Sequence, residues 1–259
     1  MPRSPRLLAL LLGALSLATS ACDRASAESG DKKSNAAPEA AGAPATSGAT
    51  STSTGFVPTG ADSALTLRAD EGRLLGKPGA MWVVMISDYQ CPYCKMWHDS
   101  SMVRFERDYI NTGKVRFAYL HLPLTSIHPH ARAESEGAMC AAAQGKFWPF
   151  SNALFAAQRT VGTMNDVTPL LNRIAREQKL DMTQFETCRQ STAIRSLVEA
   201  DLQQAQKAGV ESTPSFVIGE FMVRGALPYA DFSQAVDTAL VLFRKRMAAG
   251  QSAGPGATR

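Results

Sequence analysis

The spacing of apolar residues changes several times along the chain, and each change predicts a different kind of element. Leu7 to Ala18 is a continuous apolar run behind Arg3 and Arg6, with small residues after it. Charged, apolar and small-residue regions in that order form the pattern of a secretory signal peptide. The run is shorter than the ~20 residues a permanent bilayer-spanning helix needs. From Ala25 to Asp62 the chain is mostly Ala, Ser, Thr, Gly and Pro, and Phe56 and Val57 are nearly its sole large apolar residues. Such a segment cannot bury enough surface to offset the entropy of ordering. Residues 1–21 therefore read as a signal peptide and 22–62 as a disordered tether. Ala249 to Arg259 has the same composition and reads as a disordered tail.

Between these ends the pattern becomes regular. Met81 to Ile86 is a short apolar run rich in β-branched residues, which predicts a central strand buried on both faces. After Cys91-Pro92, Met96, Trp97, Val103 and Ile110 follow helical spacing to about Tyr109, and Asn111-Thr112-Gly113 stops the helix. Val115 to Tyr119 alternates and predicts a second strand, completing a βαβ unit. From His128 to Lys207, Ala, Glu, Gln, Leu and Arg dominate, with breaks at Gly145, Pro149, Gly162 and Asp181. Helices are expected at 129–144, 148–157, 166–178, 182–190 and 193–208. Ser215–Ile218 and Met222–Arg224 flank Gly219-Glu220-Phe221, which predicts a hairpin. A last amphipathic helix spans Tyr229 to Met247, and Leu65-Thr66-Leu67 reads as an early edge strand. The order βαβ, helical block, ββα is that of an α/β thioredoxin fold with an inserted all-helical domain. Its sheet domain takes residues 63–127 and 208–248, and the insertion takes 128–207.

Composition excludes more than it assigns. Hydrophobic residues make up 45% and charged residues 19%, enough for a folded core. The net charge of +4 is scattered, with no basic stripe between aromatics, so nucleic acid is not an expected partner.

The cysteines carry the candidate chemistry. Cys91-Pro92-Tyr93-Cys94 stands where a strand gives way to a helix, and Pro92 suits the first helical turn. Unsatisfied N–H groups at a helix start favour negative charge. A Cys91 thiolate is therefore stabilised, with Cys94 one turn further in and ready to close a disulfide. Cys91 reads as the nucleophile and Cys94 as the resolving thiol; Pro92 and Tyr93 tune the site. A structural zinc site wants four ligands, and His98, His121, His128 and His130 show no zinc spacing to the pair, so no metal and no cofactor is expected. His121, His128 and His130 are assigned no chemistry; for His98, near the redox helix, a surface or packing role is expected over modulation of Cys91; Trp82, Trp97 and Trp148 read as core. Thr213-Pro214, at the entrance of a strand, reads on its own as an ordinary turn proline. Thr19-Ser20-Ala21-Cys22 resembles a lipobox, which makes Cys22 a candidate lipidation site; cleavage after Ala25-Ser26-Ala27 is the rival. Asp23 resembles the signal that holds such lipoproteins at the inner membrane.

Ser87-Asp88-Tyr89-Gln90-Cys91-Pro92-Tyr93-Cys94, Ala143-Gln144-Gly145-Lys146-Phe147-Trp148 and Gly209-Val210-Glu211-Ser212-Thr213-Pro214-Ser215-Phe216 together resemble the DsbA-like bacterial disulfide oxidoreductases, especially their membrane-tethered branch. The similarity runs from Leu65 to Met247. It implies that Thr213-Pro214 is cis and packs beside the cysteines, that the Thr213 backbone binds an extended client segment, and that the helical block shapes a client groove. It also implies a periplasmic enzyme exchanging disulfides with exported proteins, reset by a membrane redox partner. Pro92-Tyr93 is shared with glutaredoxins and a periplasmic isomerase, and Thr before the cis proline also occurs in isomerases. The low-complexity N-terminal stretch holds no dimerisation domain of the isomerase kind, so a monomer is expected. An oxidase is the leading reading, with a reductase or isomerase, or a tethered chaperone-like binding module, as alternatives. Cys140 and Cys188 remain. Some family relatives have a structural disulfide in the helical domain, which implies one here; two buried apolar cysteines are the alternative.

Overall fold

The computed structural model describes residues 60–250, built on one mixed sheet. Its strands are β1 (Leu74–Leu75), β2 (Met81–Ser87), β3 (Val115–His121), β4 (Ser215–Ile218) and β5 (Phe221–Arg224), in the spatial order β1-β3-β2-β4-β5. β2 and β3 are parallel, with Met81 opposite Val115 and Ser87 opposite His121; the other pairs are antiparallel. Alternation along the strands then sets Val83, Met85 and Ser87 on the same face as Phe117, Tyr119 and His121. On the opposite face, Ile86 and Leu120 join Leu122, Ala205 and Val210 in a smaller apolar cluster.

The chain is helical from Pro92 to Ile110, as α2 (Pro92–Trp97), a π-helical turn at His98–Met102, α3 (Val103–Phe105) and a second π-helical turn at Glu106–Ile110. A π turn spans five residues, and the buried stripe follows it: Trp97 to Met102, and Phe105 to Ile110. Met96 and Val103, expected on that stripe from 3.6-residue spacing, are turned outward and are 48% and 76% exposed. Trp97 packs 4.7 Å from Phe216 and 5.1 Å from Phe232, pinning this segment to the sheet and to α9 (Tyr229–Ala248). Trp97 is wholly buried, whereas Trp82 lies half-buried under the Arg116 guanidinium and Trp148 is packed at the margin of the core.

Between β3 and β4 run α4 (Ala131–Ala142), α5 (Phe147–Val161), α6 (Thr168–Glu177), α7 (Met182–Gln190) and α8 (Thr192–Lys207). The third helix begins two residues later than its spacing predicts, and the second extends to Val161. α4 is buried along most of its length, with Phe150, Leu154, Leu171, Phe185 and Ile194 among the core residues of this block.

Two sequence expectations fail at the start of the domain. Leu65-Thr66-Leu67 is not a strand; it lies inside α1 (Gly60–Gly72), and Gly60 to Asp62, expected in the tether, form that helix's first turn. The alternation of Leu65 and Leu67 was misleading, because Leu65 and Ala69 face inward at a spacing of four while Leu67 is 62% exposed. A Cβ on Gly72 would stand 2.4 Å from the Ala142 carbonyl oxygen, so only glycine permits α1 this close to α4. The edge strand is β1, paired with β3 through Leu74 and Ala118. Phe221, expected in the hairpin loop, belongs to β5 opposite Ile218. Arg73 fixes the junction by binding Asp70, Asp201 on α8 and the Tyr119 carbonyl.

The expected signal peptide, Cys22 and its rival cleavage site, the tether up to residue 59 and the tail beyond Gly250 lie outside the described residues. Among the described residues no helix is long and apolar enough to cross a membrane.

Candidate active site

β2 delivers the chain to a tightly held loop. The Asp88 carboxylate, fully buried, accepts from the backbone N–H of Gln90 at 2.7 Å and of Leu124 at 2.8 Å, and its Oδ2 lies 2.9 Å from His128 Nδ1. The Cys91 N–H donates to the Asp88 carbonyl at 3.2 Å. From α5, Gln158 Nε2 donates to the Tyr89 carbonyl at 2.6 Å and the Cys91 carbonyl at 3.0 Å. From the start of α4, the His130 N–H donates to Gln90 Oε1 at 2.8 Å. The helical block thus grips the loop on both sides of the residue that leads into α2.

Cys91 occupies the N-cap of α2 with extended backbone angles, and Pro92 follows in the first turn. Its thiol is pulled down to about 6, chiefly by hydrogen bonding from the Cys94 thiol; burial opposes this, and the Thr213 side chain and the N–H groups of Cys94 and Tyr93 assist. Cys94 is the opposite case. Burial away from water, and then the neighbouring Cys91 sulfur, push its thiol well above the ordinary value. Cys91 is 5% exposed and Cys94 not at all, while Tyr93 beside them is 62% exposed. In neutral solution the outer sulfur is therefore mostly thiolate and the inner one a thiol.

The Thr213-Pro214 peptide is cis and meets the pair from β4. The Cys91 thiol, when protonated, donates to the Thr213 carbonyl at 3.3 Å. Cys91, Pro92, Tyr93, Cys94, Thr213 and Pro214 are thereby one cluster drawn from two distant parts of the sequence. Cys140 and Cys188 lie elsewhere, joined by a disulfide between α4 and α7. His98 contacts Asp99 and Asn152, and His130 Nε2 lies against the Met164 carbonyl, so each is engaged away from the sulfurs. Asp88 and Gln158 hold the loop yet went unassigned in the sequence. Asp88 left one signal, a charge directly after a buried apolar strand; Gln158 left none.

Comparison with known proteins agrees with this geometry. The family described as Thioredoxin matches residues 68–238. The chain is 30% identical over 172 residues to Probable disulfide bond formation protein D of Bacillus anthracis, covering 64% of this chain and 77% of that one. It is also 30% identical over 170 residues to Na(+)/H(+) antiporter NhaA 3 of Salinispora tropica, but there it spans only 24% of the relative's length. Among solved structures, alpha-DsbA1 of Wolbachia pipientis superposes with a TM-score of 0.60 at 22% identity, over 68% of this chain and 94% of that one. Oxidised BdbD of Bacillus subtilis gives the same score and identity over 66% and 94%. The chain belongs to the thioredoxin family, as a DsbA-like thiol–disulfide oxidoreductase.

Proposed function

We propose that the protein introduces disulfide bonds into exported proteins, with Cys91 as the sulfur that exchanges with the client and Cys94 as the one that resolves. The carrying observation is the asymmetry of the pair: a thiolate with a value of about 6 at a helix start, against a thiol that burial keeps protonated. Stabilising the Cys91 thiolate stabilises the reduced form of the site, and that makes its disulfide a stronger oxidant. A client thiolate attacks Cys91, forming a mixed disulfide and releasing Cys94; a second client thiol then displaces Cys91 as a good leaving group. Pro92 and Tyr93 set the anion's stability, and the Thr213 backbone beside cis Pro214 receives the extended client segment as an added strand.

The working place of this chemistry is the periplasm, with a lipid on Cys22 holding the domain at the inner membrane through residues 22–59, and a membrane partner reoxidising the pair. The enzyme acts as a monomer. Pro92-Tyr93 and Thr213 favour a second reading, a reductase or isomerase. The redox state of the pair in cells separates the two: alkylation after acid quench traps Cys91 and Cys94 mainly oxidised in an oxidase, and a mainly reduced pair overturns that direction.

A further inference from the structure

The opposite end of the sheet from the cysteine pair presents a surface that disulfide exchange does not use. α9 packs on the core through Phe232, Val236, Ala239 and Leu240, and then outlasts it. Val241 to Ala248 adds about 12 Å of helix at about 1.5 Å per residue, and every residue from Arg244 to Ala248 is exposed. The apolar stripe nevertheless continues. Phe243 is half-buried against the core, and Met247, one turn on, is 51% exposed; Val241 and Leu242 are exposed as well. Arg244, Lys245 and Arg246 stand among them. At about 100° per residue, apolar and basic side chains surround this helix end and do not divide into two faces.

The β4–β5 turn lies against the same helix end. A Cβ on Gly219 would stand 3.7 Å from Ala239 Cβ, Arg246 pairs with Glu220, and Phe221 is exposed. The Gly219 N–H donates to the Trp82 carbonyl at the start of β2, whereas Cys91 and Cys94 follow the far end of that strand. β2 sets the two about 20 Å apart, at about 3.3 Å per residue. Lys77 and Lys114 precede β2 and β3 at this same end, and a Cβ on Gly113 would stand 3.7 Å from Lys77 Cδ. Glu220 answers Arg246, but Lys77, Lys114, Arg244 and Lys245 are exposed and hold no ion pair among the described residues.

We propose that this end of the domain docks on an anionic bilayer surface, with Leu242 and Met247 entering the headgroup layer and the four unpaired cations meeting lipid phosphates. Exposed apolar side chains gain by leaving water, and each nearby cation gains from the anionic surface. Long basic side chains reach the phosphates while their apolar stems stay with Leu242 and Met247. A second copy docked by the same patch about a two-fold axis would instead set like charges together. Nucleic acid would satisfy the cations and leave the apolar side chains nothing to enter. The docking rests on the inner-membrane location proposed above and adds an orientation to it. A lipid on Cys22 keeps the domain near the bilayer without deciding which end faces it. The docked helix end turns Cys91 away from the lipid, toward exported clients.

The test is co-sedimentation with lipid vesicles of the full chain carrying Cys22→Ser, which removes any acyl anchor. Vesicles containing phosphatidylglycerol are expected to bind this parent chain more tightly than phosphatidylcholine alone, and high salt to shrink the difference. Adding Arg244→Gln and Lys245→Gln is expected to weaken binding to the anionic vesicles about 30-fold, roughly five-fold for each cation removed. Arg3 and Arg6 are common to parent and variant, so the ratio reads the helix end alone. Adding Leu242→Gln and Met247→Gln is expected to weaken binding at high salt as well, where charge is screened. A variant without Arg244 and Lys245 that binds as the parent does, or a parent with no preference for anionic lipid, overturns the docking. A parent that ignores both vesicles and pairs with itself through these residues gives the surface to a second copy, and overturns it equally. Mixed-disulfide formation with glutathione is expected to be the same in every variant; its absence from the parent would count against the cysteine assignment and not against the docking.

Discussion

Cys140 and Cys188 face each other from α4 and α7 within the apolar core, 48 positions apart in sequence, whereas Cys91 and Cys94 lie within one helical turn at the end of β2. The first pair closes a long loop and meets apolar neighbours; the second closes a ring too small to constrain the unfolded chain and meets N–H groups, a carbonyl and hydroxyls. Loop length gives the first its worth as a cross-link. Polar surroundings, distributed unequally between two sulfurs, give the second its reactivity. One residue type thus serves stability and chemistry in the same chain, and the environment alone assigns the roles.

That contrast can be broken most severely at Cys91. Cys91→Ser is expected to abolish disulfide transfer to a reduced test protein while leaving the folded circular dichroism spectrum unchanged; transfer that survives would favour a binding module over an enzyme. Replacing Cys140 and Cys188 together by Ala is expected to do the reverse. For a separation of 48, chain entropy predicts a loss of about 4 kcal/mol in urea unfolding, with exchange at Cys91 retained. Equal loss of both properties would show that the two pairs are coupled.

A pH experiment sharpens the comparison within the active pair. The folded Cys91 value lies below the ordinary 9.0, so its thiolate stabilises the reduced fold above pH 9, and that stabilisation is lost as pH falls through about 6. The melting temperature of the reduced protein, relative to the oxidised, is therefore expected to drop across that span; a flat difference would deny the depressed value. Glu134 runs the other way. Its folded value is raised from 4.5 to about 8, so it costs the fold nothing below pH 4.5 and most above pH 8. Glu134→Gln is expected to stabilise the protein at pH 8 by on the order of 4 kcal/mol and to leave it unchanged at acid pH. The smallest effect is expected from Gln158→Ala, about 1 kcal/mol for two hydrogen bonds to loop carbonyls, read by chemical denaturation; no change at all would mean the grip from α5 is not needed.

Much of this was legible in the chain because the signals were local. Cys91-Pro92-Tyr93-Cys94 at a strand-to-helix passage carries its chemistry in adjacent residues, whereas Thr213-Pro214 reads alone as an ordinary turn proline and its cis bond is implied only by the family resemblance. Local reading failed where burial decided the outcome. Leu65 and Leu67 alternate as a strand would, yet α4 takes Leu65 and Ala69 as a helix face. Met96, Val103 and Ile110 match a seven-residue helical spacing, but the π turn at His98–Met102 shifts the buried stripe onto Trp97 and Met102 and leaves Val103 outside it. Glu134 reads as one more charged residue in an Ala-rich helix, and only packing shows that it is fully buried.

The two carbonyls that receive the Gln158 amide lie on either side of Gln90, and Gln90 itself receives the His130 N–H. Transplanting the tetrapeptide Cys91 to Cys94 onto a foreign scaffold would leave those clamps behind, and with them the angle at which the sulfur meets the helix axis. For an engineer, the smallest portable unit of this catalyst is the sheet end together with the block that grips it.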